Sequence, residues 1–145
     1  MWPGTCKSLL FLICLTDRDP KMRAWSIGLG FEKRRSDFSL LKPTLAKLMS
    51  DPEFDVRLAA TKDFAAQREP ICASPLLGLL KEVYRTENGE FFTLAMSADA
   101  VAHQKFGFDS RTERVPMKNE RNDAALKRYE NWARSREHGR PTRIV

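Results

Sequence analysis

One phrase occurs twice in this chain. Asp19-Pro20-Lys21-Met22-Arg23 and Asp51-Pro52-Glu53-Phe54-Asp55-Val56-Arg57 each open an apolar-periodic run, and each is tied to a Pro-x-Leu-x-x-Leu run, at Pro43 and at Pro75. The Met22-Arg23 and Val56-Arg57 pairs lie 34 residues apart, and the two prolines 32 apart. A period in that range marks stacked helix pairs, in which each unit buries its apolar face only on its neighbours. The phrase therefore predicts an all-α chain. Arrays of this kind present extended binding surfaces, so the expectation runs toward binding and away from catalysis.

Helical spacing divides the chain into pairs. Asp19 as N-cap with Pro20 at the first position starts one helix, whose buried face is expected to be Met22, Trp25, Ser26 and Leu29. Phe38, Leu41, Leu45, Leu48 and Met49 give its partner, with Pro43 either kinking that helix or beginning it. In the second pair Asp51-Pro52 starts a helix that buries Val56, Ala59, Ala60 and Phe64. Its partner carries Ile71, Leu76, Leu77, Leu80 and Val83. After the Asn88-Gly89 turn signal, a third first-type helix begins near Glu90 with Phe91, Leu94, Ala95, Ala98 and Val101. Ser26, Ala59, Ala60 and Ala95 are small, as close helix stacking requires. Arg23 and Arg57 recur at equivalent places, so each is expected to reach a carboxylate or carbonyl of a neighbouring unit, as a rung of a structural ladder.

A chain of 145 residues is long enough for one domain with a real core and too short for two ordinary ones. The expected layout is a helical repeat domain over 1–109, a polar linker with Pro116 over 110–119, a cap helix over 120–137 and a disordered tail over 138–145. The cap follows from Ala124, Ala125, Leu126, Tyr129, Trp132 and Ala133, which share one helical face with Asp123, while Lys127, Arg128, Arg134 and Arg136 fall largely outside it. A solenoid end needs such a polar-backed element. No cap is visible at the other end, where Leu9 to Leu15 reads as a partner helix lacking its own first helix, so the expectation is either that the chain is the C-terminal part of a longer array or that this end associates with another subunit. That run lacks a small-x-small cleavage site and is far short of a membrane span, so it reads as a core helix rather than a leader. Cys6, Cys14 and Cys72 form no CxxC, and Cys14 and Cys72, which sit inside apolar runs, imply small core residues in a reducing, cytoplasmic setting.

Asp51-Pro52-x-x-Asp55-Val56-Arg57-x-Ala59-Ala60, with Pro75-x-Leu77-x-x-Leu80 after it, resembles a HEAT repeat of the phycobilisome-lyase-like type. The likeness covers residues 17–104. The first copy departs from the pattern at Lys21, Met22 and Trp25-Ser26, and the third keeps only the alanine spacing. Phe106-Gly107-Phe108-Asp109 before a Trp132-bearing stretch resembles the closing segment of some HEAT arrays. The resemblance implies a right-handed superhelix of about three antiparallel helix pairs that binds proteins, or sometimes nucleic acid, on an extended face. It carries no reaction with it.

Chemistry of a catalytic or metal-binding kind is not legible. His103 and His138 are the only histidines and have no ligand spacing, and Ile27-Gly28-Leu29-Gly30 is neither a phosphate loop nor a dinucleotide fingerprint. No catalytic residue, metal ligand or cofactor is assigned. Charge is more informative. The formal net charge is +6, and from Arg111 onward ten basic residues face five acidic ones. Lys33, Arg34 and Arg35 crowd the loop after the first helix, Lys42 and Lys47 belong to the next, and Arg128, Arg134 and Arg136 to the cap helix. These eight are the candidate anion- or partner-binding residues. The expected function is a non-catalytic protein-interaction or scaffold module. The alternative is binding of nucleic-acid phosphates through the basic loop and tail.

Overall fold

Asp19 opens the first helix by accepting a hydrogen bond at Oδ1 from the Lys21 N–H (2.9 Å), and Pro20 sits at its first position as expected. The structure, a computed structural model, describes residues 12–32, 38–109 and 116–138. All regular structure in them is helical: α1 (Pro20–Glu32), α2 (Phe38–Leu48), α3 (Phe54–Ala66), α4 (Ala73–Arg85), α5 (Glu90–Ala102) and α6 (Glu120–His138). A short helical stretch over 12–15 precedes α1, and a 3-10 turn at Pro70–Cys72 leads into α4. No strand occurs among the described residues, and none of their helices is long and apolar enough to cross a membrane. Pro43 lies inside α2 rather than at its start. The tail over 139–145 and most of the expected linker lie outside the described residues.

Helix ends follow one rule. Arg68, Glu87 and His103 adopt left-handed backbone (φ 55°, 54° and 54°) just past α3, α4 and α5. In each case the N–H of that residue and of the next reach back to the last turn: Arg68 to Ala65 and Glu69 to Phe64, Glu87 to Tyr84 and Asn88 to Val83, His103 to Ala100 and Gln104 to Asp99. These are Schellman motifs, which satisfy carbonyls a helix terminus leaves open. Asn88 then caps the next helix, its Oδ1 accepting from the Glu90 N–H at 2.9 Å.

The chain divides into two compact units between Asp63 and Phe64, inside α3. In the first, Leu15, Ile27, Leu45, Val56 and Ala60 are fully buried. The buried face of α1 differs from the expected one. Ser26 is buried, but Trp25 is 63% exposed and Met22 is also exposed. The reason is Arg23, whose guanidinium turns inward to Asp51 and brings Ile27, one turn along, into the core with it. Arg23 Nε and Nη2 donate to both Asp51 carboxylate oxygens at 2.9 and 3.0 Å, and Nη1 donates to the carbonyls of Asp17 and Arg18. Asp51 also accepts from the Glu53 N–H at 3.0 Å. Arg23 thus reaches a carboxylate, as expected. Arg57 lies 5.8 Å over the Phe54 ring.

In the second unit α4 and α5 form a helical hairpin joined through residues 86–89, with Tyr84 and Phe91 rings 5.0 Å apart across the turn. Leu76, Leu80, Val83, Phe91, Leu94 and Ala98 are fully buried, as the spacing predicts. Ile71 is not: it stands exposed on the 3-10 turn, where the chain has not yet entered the helix whose periodicity it was expected to share. The other face of α4 receives α6. Tyr129, fully buried, donates its hydroxyl to the Ala73 carbonyl at 2.7 Å, Tyr84 donates to the Asp123 carboxylate, and Lys81 pairs with Glu130. Ala125, Tyr129 and Ala133 form the buried stripe of α6.

Candidate functional site

Residues 104–109 leave α5 without forming another helix, and side chains from both flanking helices hold them. The Phe106 N–H donates to Asp99 Oδ1 (3.1 Å) and the Asp109 N–H to Asn122 Oδ1 (2.7 Å). Arg128 Nη1 donates to the Phe106 carbonyl (2.7 Å) and Arg121 Nε to the Gly107 carbonyl (2.9 Å). Asn122 is buried in α6 and gives its amide N–H groups to the Met117 carbonyl, so one side chain ties both ends of the 110–116 stretch. Gly107 has φ +94°, so a side chain there would be strained, and its Cβ, 3.1 Å from Arg128 Nη1, would also require that guanidinium to shift. Phe106 points inward against Tyr129 and Trp132, with ring centroids 5.3 and 6.1 Å away, and Phe108 meets Phe91 edge-on at 5.7 Å.

Between α5, this segment and α6 lies a groove of about 520 Å³. Phe92, Ala95, Met96 and Phe108 supply its apolar lining, and Lys105 and Arg121 its cations. Met96 is 68% exposed, which leaves a large thioether side chain in water. Burial pushes the Asp99 carboxyl above its ordinary value, against the Phe106 N–H and the nearby Lys105 charge. Smaller depressions occur beside Trp25 and Met22 in the first unit (about 260 Å³), and between Ile71, Ser74 and Arg136 in the second (about 350 Å³).

Of the basic candidates, Lys42 and Lys47 belong to the first unit and Arg128, Arg134 and Arg136 to the second. Lys33, Arg34 and Arg35 lie outside the described residues. Lys42 is half-buried on α2, and Lys47 is exposed in its last turn. On α6 each arginine has a neighbour in its own unit. Arg128 holds the Phe106 carbonyl, Arg134 pairs with Glu130 at 2.8 Å, and Arg136 lies 5.1 Å over the Trp132 ring. Hydrogen bonding from Lys81, with the charges of Lys81 and Arg134, outweighs partial burial and holds the Glu130 carboxyl below its usual range.

Neither thiol described forms a disulfide. Burial, aided by the Glu69 charge, pushes Cys72 up to about 12, so it carries almost no thiolate at neutral pH. Among the described residues no group of three or more His, Cys, Asp or Glu could hold a metal ion. No family model, curated protein or solved structure matches the chain.

The groove was not legible in the sequence. Phe92 and Met96 form an i, i+4 stripe on α5 beside the buried stripe of Phe91, Leu94 and Ala98, and both stripes are apolar. Periodicity alone does not say which of two such stripes finds a partner. The one available signal was Phe106-Gly107-Phe108, an aromatic pair around a glycine directly after a helix.

Proposed function

We propose that the chain is a HEAT-like helical repeat protein that works as a non-catalytic protein-interaction module. One observation carries this reading: large apolar side chains stand in water, whereas Arg128, Arg134 and Arg136 of α6 each have a neighbour in their own unit. Trp25, Ile71 and Met96 are exposed, and aromatic and methionine side chains are enriched where proteins meet. The Arg23–Asp51 rung links the two copies of the repeated phrase and supports the stacked-repeat architecture. Repeat stacking explains the aspartates, arginines and alanines of the phrase, which leaves function to the positions where the copies differ. Trp25 is one of these.

Affinity purification from the cells of origin, with nuclease treatment and a high-salt wash, tests the reading. Protein partners should survive both steps and disappear when Trp25, Ile71 and Met96 are replaced together by Ser. Nucleic-acid binding, which the net charge of +6 favours, predicts the opposite. Duplex DNA would then bind at low salt, lose affinity steeply as salt rises and depend on Arg34 and Arg35. That result, or the absence of any specific protein partner, rejects the module.

A further inference from the structure

We infer that the groove between α5, residues 104–109 and α6 docks an acidic, apolar-bearing peptide segment of a partner protein. The inference rests on the protein-binding reading above and names the chemistry of what is bound. The apolar floor of Phe92, Met96 and Phe108 calls for a bulky apolar side chain. Met96 is unbranched and polarizable, so it can reshape around such a group.

Charge decides the rest. Four ionisable side chains line the groove, two of each sign, but they are not equally available. Asp99 is half-buried and accepts from the Phe106 N–H, and Asp109 is buried, only 4% exposed. Lys105 and Arg121 are exposed. Arg121 uses its Nε on the Gly107 carbonyl, and a guanidinium has five N–H donors, so it retains capacity for a carboxylate. The accessible charge is therefore positive beside an apolar floor, complementary to Asp or Glu next to a large apolar residue. The +6 charge of the whole chain favours encounter with such a segment. Met96, two-thirds exposed, shows that the groove opens to solvent at its apolar floor. An enclosed cavity would suit a small molecule, whereas an open one suits a peptide laid across it.

Selection of a displayed random-peptide library on the intact chain tests this, followed by fluorescence anisotropy with the selected peptides. Enriched peptides should pair a bulky apolar residue with Asp or Glu. They should bind at least about tenfold more weakly to Met96→Glu and to Lys105→Glu. Both positions are exposed, and unchanged circular dichroism and melting would show that the variants fold. Enrichment of basic peptides, no enrichment, or undiminished binding to both variants overturns the groove. A native partner that survives Met96→Glu but is lost from the triple Ser variant would overturn the groove and leave the module standing.

Discussion

Arg23 is where the repeated phrase acquires a physical meaning. Its guanidinium fixes both oxygens of Asp51, 28 residues away, and two carbonyls ahead of α1. The Asp51 side chain is only 8% exposed. Burial opposes its ionisation, but the hydrogen bonds from Arg23 and Glu53 and the charges of Arg23 and Arg57 outweigh that and hold its carboxyl below the ordinary 3.8. A depressed folded value means the stabilisation is complete above the unfolded pKa and is lost as pH falls through the folded one. Arg23→Ala should cost about 2 kcal/mol near neutral pH, and the double variant with Asp51→Asn should cost less than the two singles combined. Urea unfolding down to pH ~3 should show the deficit of Arg23→Ala shrinking in acid. A deficit that is independent of pH would mean that the carbonyl contacts, and not the carboxylate, carry the effect. At this scale the sequence pointed to the arginine but misjudged its neighbours. Once Arg23 and Ile27 occupy the inner face of α1, Trp25 cannot share it.

At the scale of elements, starts were easier to read than stops. Asp19, Asn88 and the Asn119 that precedes α6 accept hydrogen bonds near their helix starts, and short polar side chains announce such caps. The stops use Arg68, Glu87 and His103 in left-handed backbone, positions where glycine is the usual signal. With no glycine there, the Schellman turns were silent in the sequence. This gives a direct prediction for Glu87, which is exposed and left-handed. The strain of a left-handed non-glycine residue, about 1–2 kcal/mol, exceeds the extra chain entropy of glycine, about 0.5–1 kcal/mol. Glu87→Gly should therefore raise stability by roughly 0.5–1 kcal/mol in denaturant unfolding, and a loss would show that the Glu87 side chain contributes more than its backbone costs.

For the whole molecule, the second unit depends on α6. Tyr129 donates its hydroxyl to the carbonyl of Ala73 at the start of α4, stacks on Trp132 at 5.6 Å and touches Phe106, so one side chain links α4, α6 and the 104–109 segment. Tyr129→Ala should cost about 3–5 kcal/mol. Hydrogen exchange should accelerate in α6 and in residues 104–109 together, because Arg121, Asn122 and Arg128 hold that segment from α6. Protection retained at 104–109 while α6 opens would disprove that dependence. What the sequence determined by itself is helicity, the Asp19 cap and most of the core, since these follow from signals within three or four residues. Tertiary structure decided which of two apolar stripes on α5 is covered, why Trp25 stays in water and what the α6 arginines hold. Those outcomes depend on partners distant along the chain, such as Asp51 for Arg23 and the Phe106 carbonyl for Arg128, and local periodicity carries no information about such partners.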